Sequence, residues 1–132
     1  MGSMEGNRTG LAGELRVMSE LLLRGHNPAK SYLEEGADII LENGLKIEVK
    51  SSHRHQAKRT TSYNWNLKCG TRGKNSSKGM CDFVICWCID DDCFFVIPRA
   101  IIGEIIGIYN VSEKSTSKYI QYRDNWELLE VK

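Results

Sequence analysis

Asp38, Glu48 and Lys50 are the residues whose types and spacing best support chemistry. Two carboxylates and an ammonium held close together suit a divalent cation and a phosphodiester. All three fall in Gly36–Ser52, GADIILENGLKIEVKSS, which reads as two strands joined by a tight turn. With Asn43-Gly44 alone as the loop, each face would mix charged and apolar side chains. With Glu42-Asn43-Gly44 as the loop and Gly44 left-handed, Ile39, Leu41, Leu45, Ile47 and Val49 share one face. Asp38, Lys46, Glu48 and Lys50 then share the other. A buried face fixes register strongly, so the second alignment is expected. It sets Asp38 opposite Glu48, with Cβ atoms roughly 5 Å apart. Such a pair repels itself unless compensated, and hard cations take carboxylate oxygens. The plain alternative is a solvated polar hairpin face.

A third carboxylate comes from the helix expected over Thr9–Arg24. Leu11, Leu15, Met18 and Leu22 recur at one-face spacing, and Gly25 with Pro28 beyond marks the end. Glu14 lies between Leu11 and Met18, so it is expected to face inward. Arg16, Glu20 and Arg24 stand four apart and are expected to form a ladder of ion pairs toward solvent. Gly10 and Gly13, without side chains, would let backbone or a phosphate approach closely.

Charge is uneven along the chain. Between Lys46 and Lys78 there are nine basic residues and one acid, Glu48; the remainder holds nine basic and sixteen acidic residues. A basic block beside the candidate carboxylates is the electrostatic footprint of a polyanion. Arg54, Lys58, Arg59, Lys68, Arg72, Lys74 and Lys78 are the candidate nucleic-acid contacts. Gly70–Gly79, GTRGKNSSKG, has no apolar residue and is expected to be a mobile loop.

Other elements must position these groups. Asn27–Tyr32 reads as a short strand and His53–Ser62 as a loop or short helix. Tyr63–Cys69 alternates as a half-buried strand. Phe83–Ile89, apolar on both faces, reads as a central strand. A turn at Asp90-Asp91-Asp92 leads to a strand over Phe94–Ile97. Pro98 is expected to open a helix through about Gly107, with Ile101, Ile102, Ile105 and Ile106 as its buried stripe. Lys118–Leu129 should hold a strand and a short helix around Trp126. The Asp triplet lacks the spacing of a calcium loop and reads as a polar turn. The five cysteines form no Cys-x-x-Cys pair and read as small buried hydrophobes rather than zinc ligands. No apolar run approaches the ~20 residues of a membrane span, and no secretion signal is visible. A cytoplasmic or nucleoid-associated, unsecreted protein is expected. Met1-Gly2-Ser3 reads as a cloning remnant and residues 4–132 as one domain.

Glu14, Asp38 and Glu48-x-Lys50, in that order, resemble the PD-(D/E)xK nuclease superfamily. Small nuclease-like proteins that begin with a Gly-x-x-Gly-Glu helix are similar too, here GLAGE at Gly10–Glu14. The residue before Asp38 is Ala37 where the motif has Pro. Archaeal Holliday junction resolvases carry a helix after the motif, whereas here a basic loop and YNWNL follow. The resemblance implies an α/β (α+β) fold with a mixed central β-sheet flanked by helices, a restriction-endonuclease-like core. It also implies that Asp38, Glu48 and the Val49 carbonyl hold Mg²⁺, with Mn²⁺ as substitute. Glu14 would bind the metal directly, through water or at a second position, and Lys50 would orient the attacking water. The function implied is a metal-dependent DNA endonuclease of restriction, homing or junction-resolving type on duplex or branched DNA. A homodimer is implied because two strands need two sites. The alternatives are a nucleic-acid-binding or regulatory module without turnover, and a zinc-dependent structural protein.

Overall fold

The computed structural model describes residues 4–31, 37–56, 61–69, 74–75, 81–112, 115 and 117–130. In chain order the elements are α1 (Met4–Leu23), β1 (Ala29–Lys30), β2 (Ile39–Ile40), β3 (Lys46–Ser52), β4 (His55–Gln56), β5 (Thr61–Asn66), β6 (Lys68–Cys69), β7 (Lys74–Asn75), β8 (Phe83–Cys88), β9 (Cys93–Pro98) and β10 (Ile105–Ile108). The central sheet runs β1-β2-β3-β8-β9. It is mixed: β3 and β8 are parallel over six residue pairs, from Ile47↔Phe83 to Ser52↔Cys88, and the other pairings are antiparallel. The expected α/β class with a mixed central sheet is what forms. Its two faces are covered differently. Val17, Leu21, Trp126 and Leu129 pack with Ile39, Ile47, Val49, Ile85 and Val96 on one side. On the other, Tyr63, Trp65, Ile106 and Ile108 pack with Val84, Cys86, Phe95 and Ile97. That second cover is a three-stranded sheet, β10-β5-β4, where flanking helices were expected.

The hairpin adopts the expected register. Ile39 pairs with Ile47 and Ile40 with Lys46, and the Leu41 N–H donates to the Leu45 carbonyl at 2.9 Å. Gly44 is left-handed at φ 87°, as a three-residue loop requires.

Several expectations fail. The helix starts at Met4, ahead of Thr9. Its buried stripe is Gly13, Val17 and Leu21, not Leu11, Leu15, Met18 and Leu22; Leu11, Leu15 and Leu22 are exposed. The reason is steric. A Cβ on Gly13 would lie 2.3 Å from the Ser51 Oγ and 2.7 Å from its Cβ, so only glycine lets the helix sit this close to β3. Arg16 and Arg24 turn toward the protein, their guanidinium carbons 4.9 Å from the Phe94 ring centroid and 4.8 Å from that of Trp126. The expected Arg16–Glu20 and Arg24–Glu20 pairs form, at 3.2 and 2.9 Å, the first part-buried and the second exposed. The helix closes as anticipated: Gly25 is left-handed, and the His26 N–H reaches the Leu21 carbonyl at 2.9 Å.

The helix expected from Pro98 to Gly107 is a single 3-10 turn, Arg99–Ile101, followed by β10. Ile106 and Ile108 are buried while Ile105 is exposed, a period of two that the run of isoleucines conceals. β-Branched residues favour this extended pairing with β5. Within His53–Ser62, β4 pairs with the start of β5 instead of forming a loop or helix. The C-terminal strand reduces to a bridge between Phe95 and Arg123, and 3-10 turns cover Ile120–Tyr122 and Trp126–Leu129. Of Gly70–Gly79, only Lys74–Asn75 is described, paired with Lys68–Cys69; the expected mobility of the rest lies outside the described residues. No described helix is long and apolar enough to cross a membrane.

Candidate active site

The site forms where β2 stops. Beyond Ile39 no strand lies beside this edge of β3 among the described residues, and the Asp38 side chain bonds it instead: its Oδ2 accepts the Val49 N–H at 2.7 Å. That bond fixes Asp38 beside Glu48, the next residue on the polar face of β3. Lys50 follows on the same face, its Nζ 3.8 Å from a Glu48 oxygen. From the helix, Glu14 arrives because Gly13 lets α1 close on β3 and because the Ser51 hydroxyl donates to the Thr9 carbonyl at 3.1 Å. Glu14, Asp38, Glu48, Val49 and Lys50 therefore line one cleft of about 640 Å³, with Thr9, Gly10 and His53 at its rim. All the chemistry-bearing positions read from the sequence meet here. Gly10 has nothing within 4 Å of where a Cβ would stand, so it leaves the cleft mouth open.

Electrostatics mark the same spot. Burial raises the Asp38 carboxyl above its ordinary value, opposed by the Val49 N–H and then by Lys50 and Lys30. Burial also raises Glu48, with Lys50 opposing and Asp38 adding to the rise. Glu14 is raised by burial first and the Asp38 charge second, with Lys30 opposing. Three carboxylates that resist ionisation together are the donor set a hard cation relieves. Among the described residues, no three His, Cys, Asp or Glu side chains already converge as a ligand cluster. Glu14 is drawn toward Lys30, at 3.9 Å, and Glu48 toward Lys50.

These shifts give a pH dependence. The folded protein keeps protons on the three acids that the unfolded chain has lost, so metal-free stability falls as pH rises above the ordinary carboxylate values. Glu42, held at about 2 by the Asn27 N–H and then His26, and the lowered Asp90 and Asp92 act only below those values. Asp38→Asn keeps an acceptor for Val49 but removes the charge. It should melt about 2–5 °C above wild type at neutral pH in EDTA, ~1 kcal/mol, with the gap closing as pH falls toward 4. Thermal melts across that range check it; a large loss of melting temperature would contradict it.

No family model matches this sequence, and no curated protein does. A search of solved structures finds a bacterial homing endonuclease, I-Ssp6803I, at TM-score 0.76 and 19% identity, covering 97% of this chain and 93% of that one. The two chains share a fold. The match spans nearly all of both, so the helix, the mixed sheet and the strands that follow belong to one common architecture.

Two contributors to the site were not foreseen. Arg99 is buried at 2% exposure, donates to the Ile102 carbonyl at 2.8 Å, and its charge acts on Glu48. A basic residue directly after the Ile97-Pro98 step in an apolar run was the available signal. Lys30 acts on both Glu14 and Asp38, and nothing in its local sequence distinguishes it. The Asp90–Asp92 turn is structural, as read. Asp90 accepts from the Arg54 N–H, Asp91 from the Tyr63 hydroxyl at 2.6 Å, and Asp92 from the Trp87 indole at 2.8 Å. Tyr63 and Trp65 are core residues stacked on each other, 6.0 Å between centroids. Cys81, Cys86, Cys88 and Cys93 are buried thiols outside any disulfide. Burial first pushes Cys81 up to about 12, well away from thiolate chemistry.

Of the basic block, Arg54 does not line this cleft; it lines a separate pocket with Thr61, Tyr63 and Asp91, its guanidinium 3.4 Å from Asp91. Lys68 and Lys74 belong to the paired strands β6 and β7. Lys58, Arg59, Arg72 and Lys78 lie outside the described residues.

Proposed function

We propose that the protein is a divalent-metal-dependent DNA endonuclease. The observation that carries this reading is the meeting of Glu14, Asp38, Glu48 and Lys50, from a helix, a hairpin strand and its neighbour, in one open cleft. Asp38 and Glu48, with the Val49 carbonyl, would hold Mg²⁺, and Mn²⁺ would substitute. A cation bound there lowers the pKa of attacking water and polarises the phosphoryl oxygens. The chain's own groups do the rest. Val49 pins Asp38 in place by its N–H, Arg99 offsets the buried charge of Glu48, and Lys50 orients the water and stabilises negative charge developing on the phosphorus. Glu14 would reach the cation directly, through water or at a second position. The fold shared with a homing endonuclease supports the DNA substrate, and homing is the favoured type over restriction or junction resolution. A pure binding module has no use for mutually repelling carboxylates beside a phosphate.

Supercoiled DNA incubated with Mg²⁺, Mn²⁺ or EDTA tests the reading: cleavage with either metal and none in EDTA is expected, and no cleavage of any duplex or branched substrate would overturn it. Affinity measured in EDTA should fall with salt at a log–log slope of about −0.9 per phosphate neutralised. Replacing Arg72, Lys74 and Lys78 together should flatten that slope by about three while weakening unrelated sequences alike. An unchanged slope would remove this segment from the DNA interface.

A further inference from the structure

The cleft is longer than its metal site needs. A cation with six waters fills roughly 200 Å³, counting each water at its share of liquid volume, whereas the cleft holds about 640 Å³. The surplus lies toward the end of β3. Gly13 packs on Ser51 and Val49, and Thr9, one turn earlier, meets the Ser51 hydroxyl, so the start of α1 leads away from the carboxylates. That end is lined by Gly6, Thr9 and Gly10 of the helix and by Ser52 and His53 on the strand side. The imidazole of His53 is aimed by a carboxylate. Its Nδ1 lies 3.3 Å from the Asp90 Oδ1, while the other Asp90 oxygen accepts the Arg54 N–H. The Arg54 N–H first and His53 second hold the Asp90 carboxyl below its ordinary value, so it stays ionised at neutral pH. An ionised carboxylate only accepts hydrogen bonds. Nδ1 therefore carries the hydrogen, and Nε2 is left for another partner. The His53 side chain is 65% exposed, so packing does not account for it.

We infer that His53, as imidazolium, clamps a phosphodiester beside the one that is cut, on the DNA strand lying in the cleft. Which phosphate is cut rests on the nuclease reading; the phosphate contact does not. Distance decides between this role and that of a base. The Val49 carbonyl stands four residues before His53, roughly 13 Å along an extended strand. A water on a cation held there stays about 2–2.5 Å from it. Nε2 thus serves a neighbouring phosphate and not the attacking water. Imidazole is the side chain that changes charge between pH 5 and 8. Neutral, its Nε2 offers a lone pair, which repels a phosphate oxygen. Protonated, both nitrogens donate, one to Asp90 and one to phosphate, and such charge-assisted bonds are the strong ones. The other charges around His53 are Asp90 on the turn, the adjacent Arg54, and Lys50 in the cleft. The helix residues at that end, Gly6, Thr9 and Gly10, carry none. Phosphate binding and proton uptake each strengthen the other, so affinity falls as pH rises through the imidazole range.

Affinity of the full chain for a short DNA duplex, measured in EDTA at pH 6 and pH 8, tests the clamp without cleavage. Wild type should lose at least about threefold more affinity over that range than His53→Gln. Whatever Glu14, Asp38 and Glu48 contribute is common to both proteins and cancels in the comparison. His53→Arg, which stays charged, should bind at pH 8 at least as tightly as wild type. His55→Gln, two residues on in β4, should keep the wild-type pH dependence. At pH 6, His53→Gln should also flatten the log–log salt slope by about one. With Mg²⁺ it should raise the concentration for half-maximal cleavage and leave the saturated rate within about twofold. Nitrogen-15 spectra of the histidine rings should show His53 moving toward its doubly protonated form with duplex, and not with inorganic phosphate at the same phosphate concentration. Equal pH dependence in wild type and His53→Gln, a ring unmoved by saturating duplex, or an equal response to inorganic phosphate would each overturn the proposal. An unmoved ring in a protein that still cuts sinks the clamp and spares the nuclease; a responding ring in a protein that never cuts does the reverse.

Discussion

Glu48→Gln and Lys50→Ala should each slow cleavage of supercoiled DNA by at least about 10²–10³-fold, the effect of removing one preorganised charge-stabilising group. Glu48 would lose its place as a ligand, and Lys50 its hold on the attacking water. Neither change should unfold the protein, because both side chains lie on the polar face of β3 while Ile47 and Val49 fill the core. Gln is preferred to Ala at position 48. Both changes take an anion away from the buried Arg99 charge, but Gln keeps the volume of the side chain and a polar oxygen that Ala would remove. DNA affinity in EDTA should stay within about threefold of wild type, since phosphate contacts carry most of it. Loss of supercoiled substrate under single-turnover conditions with saturating Mg²⁺ is the measurement. Rates within twofold of wild type for either variant would remove that residue from the chemistry.

Gly13→Ala should be as damaging as a change of one methyl group can be in this protein. The new Cβ meets both the Oγ and the Cβ of Ser51 at distances real atoms do not adopt. The Oγ could swing away, but the Ser51 Cβ cannot, so α1 must lift from β3. Overpacking of this kind costs about 1–3 kcal/mol, partly offset by the ~1 kcal/mol that alanine gains over glycine inside a helix. Gly10→Ala has that gain and no clash, because nothing lies within 4 Å of its Cβ position. The two variants should therefore separate by roughly 5–10 °C in melting temperature, with Gly10→Ala at or above wild type. Gly13→Ala should also cleave more slowly, because Glu14 moves with the helix. Equal melting temperatures for the two would show that the helix–strand contact yields easily.

The hairpin was legible because its signals agree: a buried face, a left-handed glycine and a loop length allow one register only. Glu14 was placed correctly beside the site although the helix was turned about its axis. The sequence offers two apolar stripes on α1, and the stronger one, with three leucines, is outside. What decides the matter is a glycine fitting a serine on a strand not yet known to be adjacent, which periodicity cannot report. The same limit explains Pro98–Gly107. Runs of adjacent isoleucines satisfy periods of both two and 3.6, and the pairing of β10 with β5 is a long-range fact. Arg99 and Lys30 were missed for a related reason: their effect on the carboxylates arises from folding, not from neighbours in the chain.

The parallel pairing of β3 with β8 has a consequence for how such a protein can change. Parallel neighbours need a crossover, and here the crossover, between Ser52 and Phe83, contains most of the basic block. The carboxylates are pinned on the near side of it by a six-pair ladder and by a helix that does not belong to it. Closing a longer connection costs only about 0.6 kcal/mol for each doubling of its length. Insertions, deletions and charge changes in this segment can thus alter the basic surface while the carboxylate geometry stays where it is. On the proposed endonuclease reading, the fold separates address from blade, and the address is the part free to be rewritten.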